Sequence, residues 1–254
     1  MAAIIETNDL KKVYGSKGVS FVALDGIDLR VQKGEFLGIM GPSGAGKTTL
    51  LNLISTIDRP SSGKIIFEGR DLGEINDREL SKLRRNSIGF IFQDFNLLDN
   101  MTVEDNIALP LALEKKNHRD ILSKVEEISR FFGINIHLKK YPYQLSGGQK
   151  QRAAAARALI TSPSVIFADE PTGALDSKSS SELLQSMLKM NEKYDTTVML
   201  VTHDAFAASY CKRILFLKDG RIHAKLDKNE SRKEFFHRIL DLLAVFGGGS
   251  HEFV

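Results

Sequence analysis

One stretch constrains the fold of this chain more than any other: GPSGAGKTTLLNLIS, Gly41 to Ser55. It matches the pattern G-x-x-x-x-G-K-[ST] and stands between a strand-like segment, EFLGIM, and a helix-like one, GKTTLLNLIST. In that context the pattern is a phosphate cradle. Its glycines let consecutive backbone N–H groups turn inward around phosphate oxygens, and the positive end of the following helix adds to the attraction. Gly41, Ser43, Gly44, Ala45 and Gly46 make the loop, Lys47 is placed to reach the β- and γ-phosphates, and the Thr48 hydroxyl is placed to ligate Mg²⁺. Glycine turns also open helices for purely structural reasons; Lys-Thr in register makes a nucleoside triphosphate the expected ligand.

A second segment supplies what a triphosphate needs. VIFADE, Val165 to Glu170, carries no polar alternation, as expected of a strand covered by helices on both faces. Such a strand delivers Asp169 rigidly to its carboxyl end, where open α/β sheets bind ligands. Asp169 is expected to hold the Mg²⁺ water shell and Glu170 to polarise the attacking water. Two carboxylates this close would repel triphosphate without a cation, so metal dependence follows from the charges.

The rest of the chain reads as an α/β core with a helical interruption. The first ninety or so residues look like short strands joined by glycine turns: AIIETNDL, VSFVALDGIDLRVQKG, EFLGIM and GKIIFEG. After IGFIFQ the pattern turns helical, with TVEDNIALPLAL, RDILSKVEEISRFFG and QKQRAAAARALI, and Thr102 three residues before Asp105 is a loose capping pattern. Strands return with SVIFADE, TTVMLVTHD, KRILFLKDG and RIHAKL. The tail has Phe235, Phe236, Ile239, Leu240, Leu242 and Leu243 at helical spacing, and is expected to pack back on the core or to meet a partner.

Composition excludes several classes. Thirty-five Lys+Arg against 32 Asp+Glu leave +3, too small and too interspersed for a nucleic-acid stripe. The single cysteine, Cys211, allows no internal disulfide and reads as a packed residue near a helix end. The N-terminus lacks a signal peptide's basic and apolar regions. No stretch reaches the roughly 18 consecutive apolar residues of a spanning helix, so a membrane role is expected to need another chain.

Three further features are weak one by one: Gln93 is by itself a surface amide, His203 a strand-end cap and Tyr14 a packing residue. LSGGQ, Leu145 to Gln149, reads in isolation as a helix cap, but standing before a helix well after the phosphate loop it is far more specific. Together, Tyr14, GPSGAGKT, Gln93, LSGGQ, VIFADE, ALD at Ala174 to Asp176 and His203 follow the order seen in ATP-binding cassette ATPases. The resemblance covers nearly the whole chain. It implies an α/β P-loop NTPase core, residues 1–93 and 157–227, with an antiparallel β subdomain, an inserted α-helical subdomain, 94–156, and a C-terminal helical tail, 228–254.

It also implies roles. Tyr14 is to stack on adenine, Thr49 to join the loop's contacts with ATP, Gln93 to contact Mg²⁺ and the lytic water, and His203 to hold the γ-phosphate. Ser146, Gly147, Gly148 and Gln149 of one subunit are to close over ATP held by the loop of a second copy, with Asp176 organising the interface. Close backbone approach by the two glycines and the following helix dipole suit an anion. The helical insertion is to touch a membrane permease, with FQDFNLLDNMTVEDNI as its first contact strip, at the cytoplasmic face of the cell membrane.

Two positions depart from the common pattern: Gly173, where many relatives have Ser, and Ala45, whose backbone matters more than its side chain. EPTGALDSKSS looks like the branch of lipoprotein-release, macrolide-efflux and peptide-antibiotic-resistance systems. FIFQDFNLLDNMTVEDNIALPL, VTHDAFAASYCKRILFLKDG and the FF-containing tail look most like ATPases of bacitracin-type antimicrobial peptide transporters, which implies a Gram-positive source and a link to a sensor histidine kinase. Cassette ATPases acting on nucleic acid or ribosomes carry coiled coils, zinc-ligand cysteines or paired cassettes, and none is present here. A small-molecule kinase would leave LSGGQ and His203 unexplained.

Overall fold

A computed structural model of the protein describes residues 3–16 and 19–247 of its 254; Gly248 to Val254, the end of the expected tail, lie outside them. The chain opens with a long antiparallel hairpin, β1 (Ala3–Ser16) and β2 (Val19–Gln32), in which Tyr14 stands opposite Phe21. These strands run well beyond the short ones the sequence suggests, because bulges let each change course while pairing continues. β3 (Phe36–Met40) is wholly buried and runs into the glycine loop, after which α1 (Lys47–Ile54) begins. β4 (Ser62–Phe67) pairs with β1, and the two-residue β5 (Arg70–Asp71) completes a four-stranded antiparallel sheet.

α2 (Asp77–Ser87) corrects the expectation that the helix after the glycine loop is the one helix before residue 88. It carries one buried residue, Leu80, so no apolar stripe announces it. Its signals are terminal: Asn76 caps through its side chain, Asp77 and Glu79 occupy the first turn, and Arg84 and Arg85 the last.

β6 (Ile88–Phe92) leads into the helical stretch: α3 (Val103–Leu113), α4 (His118–Phe131) and α5 (Gly147–Leu159). Thr102 and Asp105 form a complete capping box on α3. α5 is unbroken through Ala156, and Ala153 to Ala156 are fully buried. Then come β7 (Val165–Asp169), α6 (Ser177–Tyr194), β8 (Thr197–Val201), the short α7 (Ala205–Ala208), β9 (Arg213–Lys218), β10 (Arg221–Asp227) and α8 (Arg232–Gly247).

The central sheet has six strands in the order β10-β9-β3-β8-β7-β6, all parallel except β10. Alternate residues serve two separate cores. Leu37, Ile39, Phe167, Met199 and Val201 pack toward α1 and the antiparallel sheet, while Phe36, Met40, Ile166, Ala168, Val198 and Leu200 pack toward α3 to α8. That double coverage is why VIFAD lacks polar alternation. Cys211 is completely buried just after α7, its thiol pushed upward by burial. Phe235 and Ile239 of α8 are fully buried in the helical-face core, so the tail helix does pack back on its own chain.

Candidate nucleotide site

Four neighbouring strands end at one edge of the central sheet, and each hands over one part of the site. β3 delivers the glycine loop, β8 delivers Thr202 and His203, β7 delivers Asp169 and Glu170, and β6 delivers Gln93. Carboxyl ends of parallel strands are where such sheets hold ligands.

The loop turns on two glycines. Gly41 and Gly46 have φ of +151° and +97°, and a Cβ on either would fall within 2.1 Å of the Leu217 carbonyl or 2.6 Å of the Ala23 carbonyl. Ser43 and Gly44 are exposed, and a Cβ on Gly44 would meet nothing within 4 Å, so the inner lip stands open to a ligand. Ala45 buries its methyl beneath the loop. Lys47 Nζ donates to the carbonyls of Gly41 (2.8 Å) and Pro42 (2.9 Å), holding the loop in shape with its ammonium at the loop's centre. Burial lowers the pKa of that ammonium, against the pull of Glu170 and Asp169. Phe21, Ala23 and Gly44 to Thr49 line one cleft.

Opposite the lysine stand the two acids. Burial first, and the Glu170 charge second, hold Asp169 above the usual aspartate range, while the Thr48 hydroxyl bonded to it and Lys47 act the other way. Glu170 takes a left-handed backbone, φ +46°, costly for a residue with a side chain. Its N–H donates to the Val201 carbonyl (2.9 Å) and its carbonyl accepts from Gly173 N–H (3.0 Å), which pin the turn. His203 Nδ1 and Glu170 Oε1 form a hydrogen bond of 2.9 Å, and the imidazole itself is mostly exposed.

Gln93 lies over the same turn. A Cβ on Gly173 would come within 3.1 Å of the Gln93 amide carbon, so the glycine lets that side chain lie flat against the backbone. Tyr14 is half-exposed on the hairpin, its hydroxyl donating to Asp58 Oδ2 (2.8 Å) and Lys12 Nζ lying 4.7 Å above its ring.

LSGGQ is built differently. Ser146 caps α5: its Oγ accepts from Gln149 N–H (3.3 Å), and Gln149 Oε1 accepts from Ser146 N–H (2.9 Å). The cap uses a lone pair of the hydroxyl and leaves its proton free to donate. A Cβ on Gly148 would lie 2.7 Å from Ser179 Oγ, and Gly147 faces Ala174 and Leu175, so the motif rests on the segment leading into α6. Asp176 caps α6, accepting from Ser179 N–H (2.9 Å) and Ser179 Oγ (2.7 Å). Among the described residues, no hydrogen bond joins 145–149 to the glycine loop.

The structure therefore gathers Gly41 to Thr48, Gln93, Asp169, Glu170 and His203 at one edge and leaves Ser146 to Gln149 on another surface of the same chain. Three residues of the surroundings escaped the sequence reading: Asp58, which holds Tyr14; Arg157, which donates to the Phe95 and Asn96 carbonyls; and Gln151. Gln151 did leave a signal, as a polar residue in line with Ala155 and Ala158 on the buried stripe of α5.

Oxygen donors suit a hard cation, and here the Thr48 hydroxyl bonds the Asp169 carboxylate. No group of three or more His, Cys, Asp or Glu side chains converges among the described residues, so Mg²⁺ here would rest chiefly on phosphate oxygens and water.

Comparison with known proteins gives the family. The model of the ABC transporter family matches residues 24–173. The uncharacterized ABC transporter ATP-binding protein YvcR of Bacillus subtilis is 50% identical over 252 residues, 98% of this chain and 97% of that protein. The bacitracin export ATP-binding protein BceA of Halalkalibacterium halodurans is 51% identical over 247 residues, 97% of this chain and 98% of that one. The solved dimeric structure of a post-hydrolysis state of the ATP-binding cassette MJ0796, bound to ADP and Pi, superposes with a TM-score of 0.82 at 37% identity, covering 89% of this chain and all of that one. The chain belongs to the ABC transporter family and is an ATP-binding cassette ATPase.

Proposed function

We propose that two copies of this chain bind ATP between them, hydrolyse it at two composite sites and drive a membrane permease that confers resistance to bacitracin-like antimicrobial peptides. The observation that carries the dimer is the division of the site: the phosphate loop and carboxylates share one sheet edge, while the N-terminus of α5, with Ser146 exposed at its cap, lies elsewhere on the same chain. A second copy, related by a two-fold axis, supplies to each loop what its own chain places out of reach.

In this reading the loop and Lys47 hold the triphosphate, Tyr14 carries the adenine, and Thr49 and Gln149 complete the nucleotide contacts. Mg²⁺, held by Thr48, Gln93 and Asp169, supplies charge neutralisation for the γ-phosphate. Glu170 accepts a proton from the attacking water, oriented by Gln93, and His203 donates to the γ-phosphate. Ser146 then offers the free proton of its capped hydroxyl, and Asp176 stands at the interface. Phosphate release removes the shared ligand and the copies part, so the cycle alternates between states of different nucleotide affinity.

Among the described residues no helix is long and apolar enough to cross a membrane, which leaves spanning to a permease. Supporting that partner, the strip Phe92 to Ile107 starts at a groove lined by Arg84, Phe90, Phe92, Leu109, Pro110 and Leu113. Its proposed place is the cytoplasmic face of the membrane, the helical segment 94–156 acting as the contacting subdomain. The likeness to the bacitracin export protein supports the peptide class; contact with a sensor histidine kinase through the permease belongs to the same proposal.

The deciding experiment is size exclusion of Glu170→Gln beside wild type in Mg-ATP, with hydrolysis measured in parallel. The variant is expected to accumulate as a dimer while turnover falls roughly a hundredfold or more, the loss typical of a missing general base. A variant that stays monomeric with ATP bound, alone and with co-expressed permease, sinks the composite site.

A further inference from the structure

We propose that Gln151 is a positioning residue for hydrolysis: from the helix that begins at Ser146, it sets the place of the turn carrying Glu170. This rests on the reading of Glu170 as the water-polarising base.

β6 and β7 run parallel, and Phe92 opposite Asp169 is the last pair of their ladder. Beyond it the two chains part, one into Gln93 and the other into Glu170 and Pro171. In that fork sits the side-chain amide of Gln151, with no exposed surface. Its Nε2 donates to the Phe92 carbonyl (3.0 Å) and to the Pro171 carbonyl (2.7 Å). Only a nitrogen can face two carbonyls, so the orientation of the amide is settled by its partners. In effect the side chain adds one more rung to the ladder, bridging two strands where their own backbones no longer pair.

Each end of that rung touches a working part. Phe92 immediately precedes Gln93, and Pro171 immediately follows Glu170, whose φ of +46° must be held by its surroundings. Pro171 lacks an N–H, so its carbonyl is its one backbone handle, and Gln151 holds it. Arg157, two turns further along α5, donates to the Phe95 and Asn96 carbonyls (3.1 and 2.5 Å), two successive residues also at positive φ. One helix thus grips both the strip after β6 and the catalytic turn, and its own N-terminus carries Ser146.

The amide is held at a cost: its Oε1 is buried with no hydrogen-bond partner. An apolar side chain of the same length would remove that cost but would take the donor from the Phe92 and Pro171 carbonyls, so what the amide contributes lies in those two bonds. The donor nitrogen accounts for the choice, because it ties the position of α5 to Phe92 and Pro171 together.

The test is Gln151→Met, which fills the space without a donor, and Gln151→Leu as a second filling, each in wild-type and Glu170→Gln backgrounds. Affinity for a fluorescent ATP analogue and single-turnover hydrolysis of labelled ATP are both read. With Glu170 present, the rate is expected to fall roughly ten- to a hundredfold, the penalty for a small misplacement of a reacting group, while affinity stays within about twofold. In the Glu170→Gln background the same substitutions should change the residual rate less than about twofold, since the group being positioned is gone. An unchanged rate with Glu170 present, an equal fold-loss in both backgrounds, or failure of both variants to fold overturns the proposal. A wild-type rate for Glu170→Gln alone would instead overturn the reading of Glu170.

Discussion

Asp169 and Glu170 place two carboxylates side by side at the mouth of a half-buried site, and the cost shows as a pKa of Asp169 held above the usual range by burial and then by Glu170. A raised carboxyl pKa means that the folded chain binds a proton the unfolded chain has released. Stability from this group is therefore present at low pH and is lost as pH rises from the ordinary aspartate range through the raised value. At neutral pH the full penalty applies. Asp169→Asn is accordingly expected to melt higher than wild type without nucleotide at pH 7, by roughly 1–3 °C once solvent screening is allowed for. That advantage should shrink as pH falls through the raised value toward the ordinary aspartate range, where the wild-type side chain takes up its proton. The variant should also lose its thermal response to Mg-ATP, so that stability and ligand grip move in opposite directions. At this scale the motifs made the residues that gather at one sheet edge legible, because GPSGAGKT and VIFADE constrain backbone and side chain together. Gln151 and Asp58 were not legible as supports, since their partners lie 59 and 44 residues away in the chain, and a hydrogen bond across that span leaves no local pattern.

Among the elements, α8 is the one whose attachment is easiest to test. Phe235 and Ile239 are fully buried, Phe246 stacks on Phe216 at 4.8 Å, and Arg232 lies 4.4 Å over the Tyr210 ring. Phe235→Ala should cost about 3 kcal/mol in urea denaturation, as a large side chain removed from a closed core does, with nucleotide affinity unchanged. A cost below about 1 kcal/mol would mean the tail is a loose appendage. The spacing of apolar residues announced this helix, and continuous apolar runs announced β3, β7 and β8. Periodicity had nothing to say about α2, which buries only Leu80 and is defined by its cap and end charges. Strand length was equally hidden in β1 and β2, where bulges carry pairing through polar stretches that read as turns.

For the whole molecule, bound nucleotide adds to stability by mass action. Saturation with Mg-ATP at a hundred times its dissociation constant contributes about 2.7 kcal/mol. In a chain of this size that raises Tm by roughly 5–10 °C. Excess EDTA should abolish most of the shift, and an equal shift with and without EDTA would mean the acids do not need a cation to tolerate triphosphate. A larger consequence follows from the alternation of the central strands between two cores. The face toward α1 and the antiparallel sheet backs the phosphate loop, while the face toward α3 to α8 backs the helices. A single sheet thus separates an engine from its transmission. Substitutions that refit the helical side to a different load leave the packing beneath the nucleotide as it was, so descent to new tasks can proceed by rewriting one side of a wall.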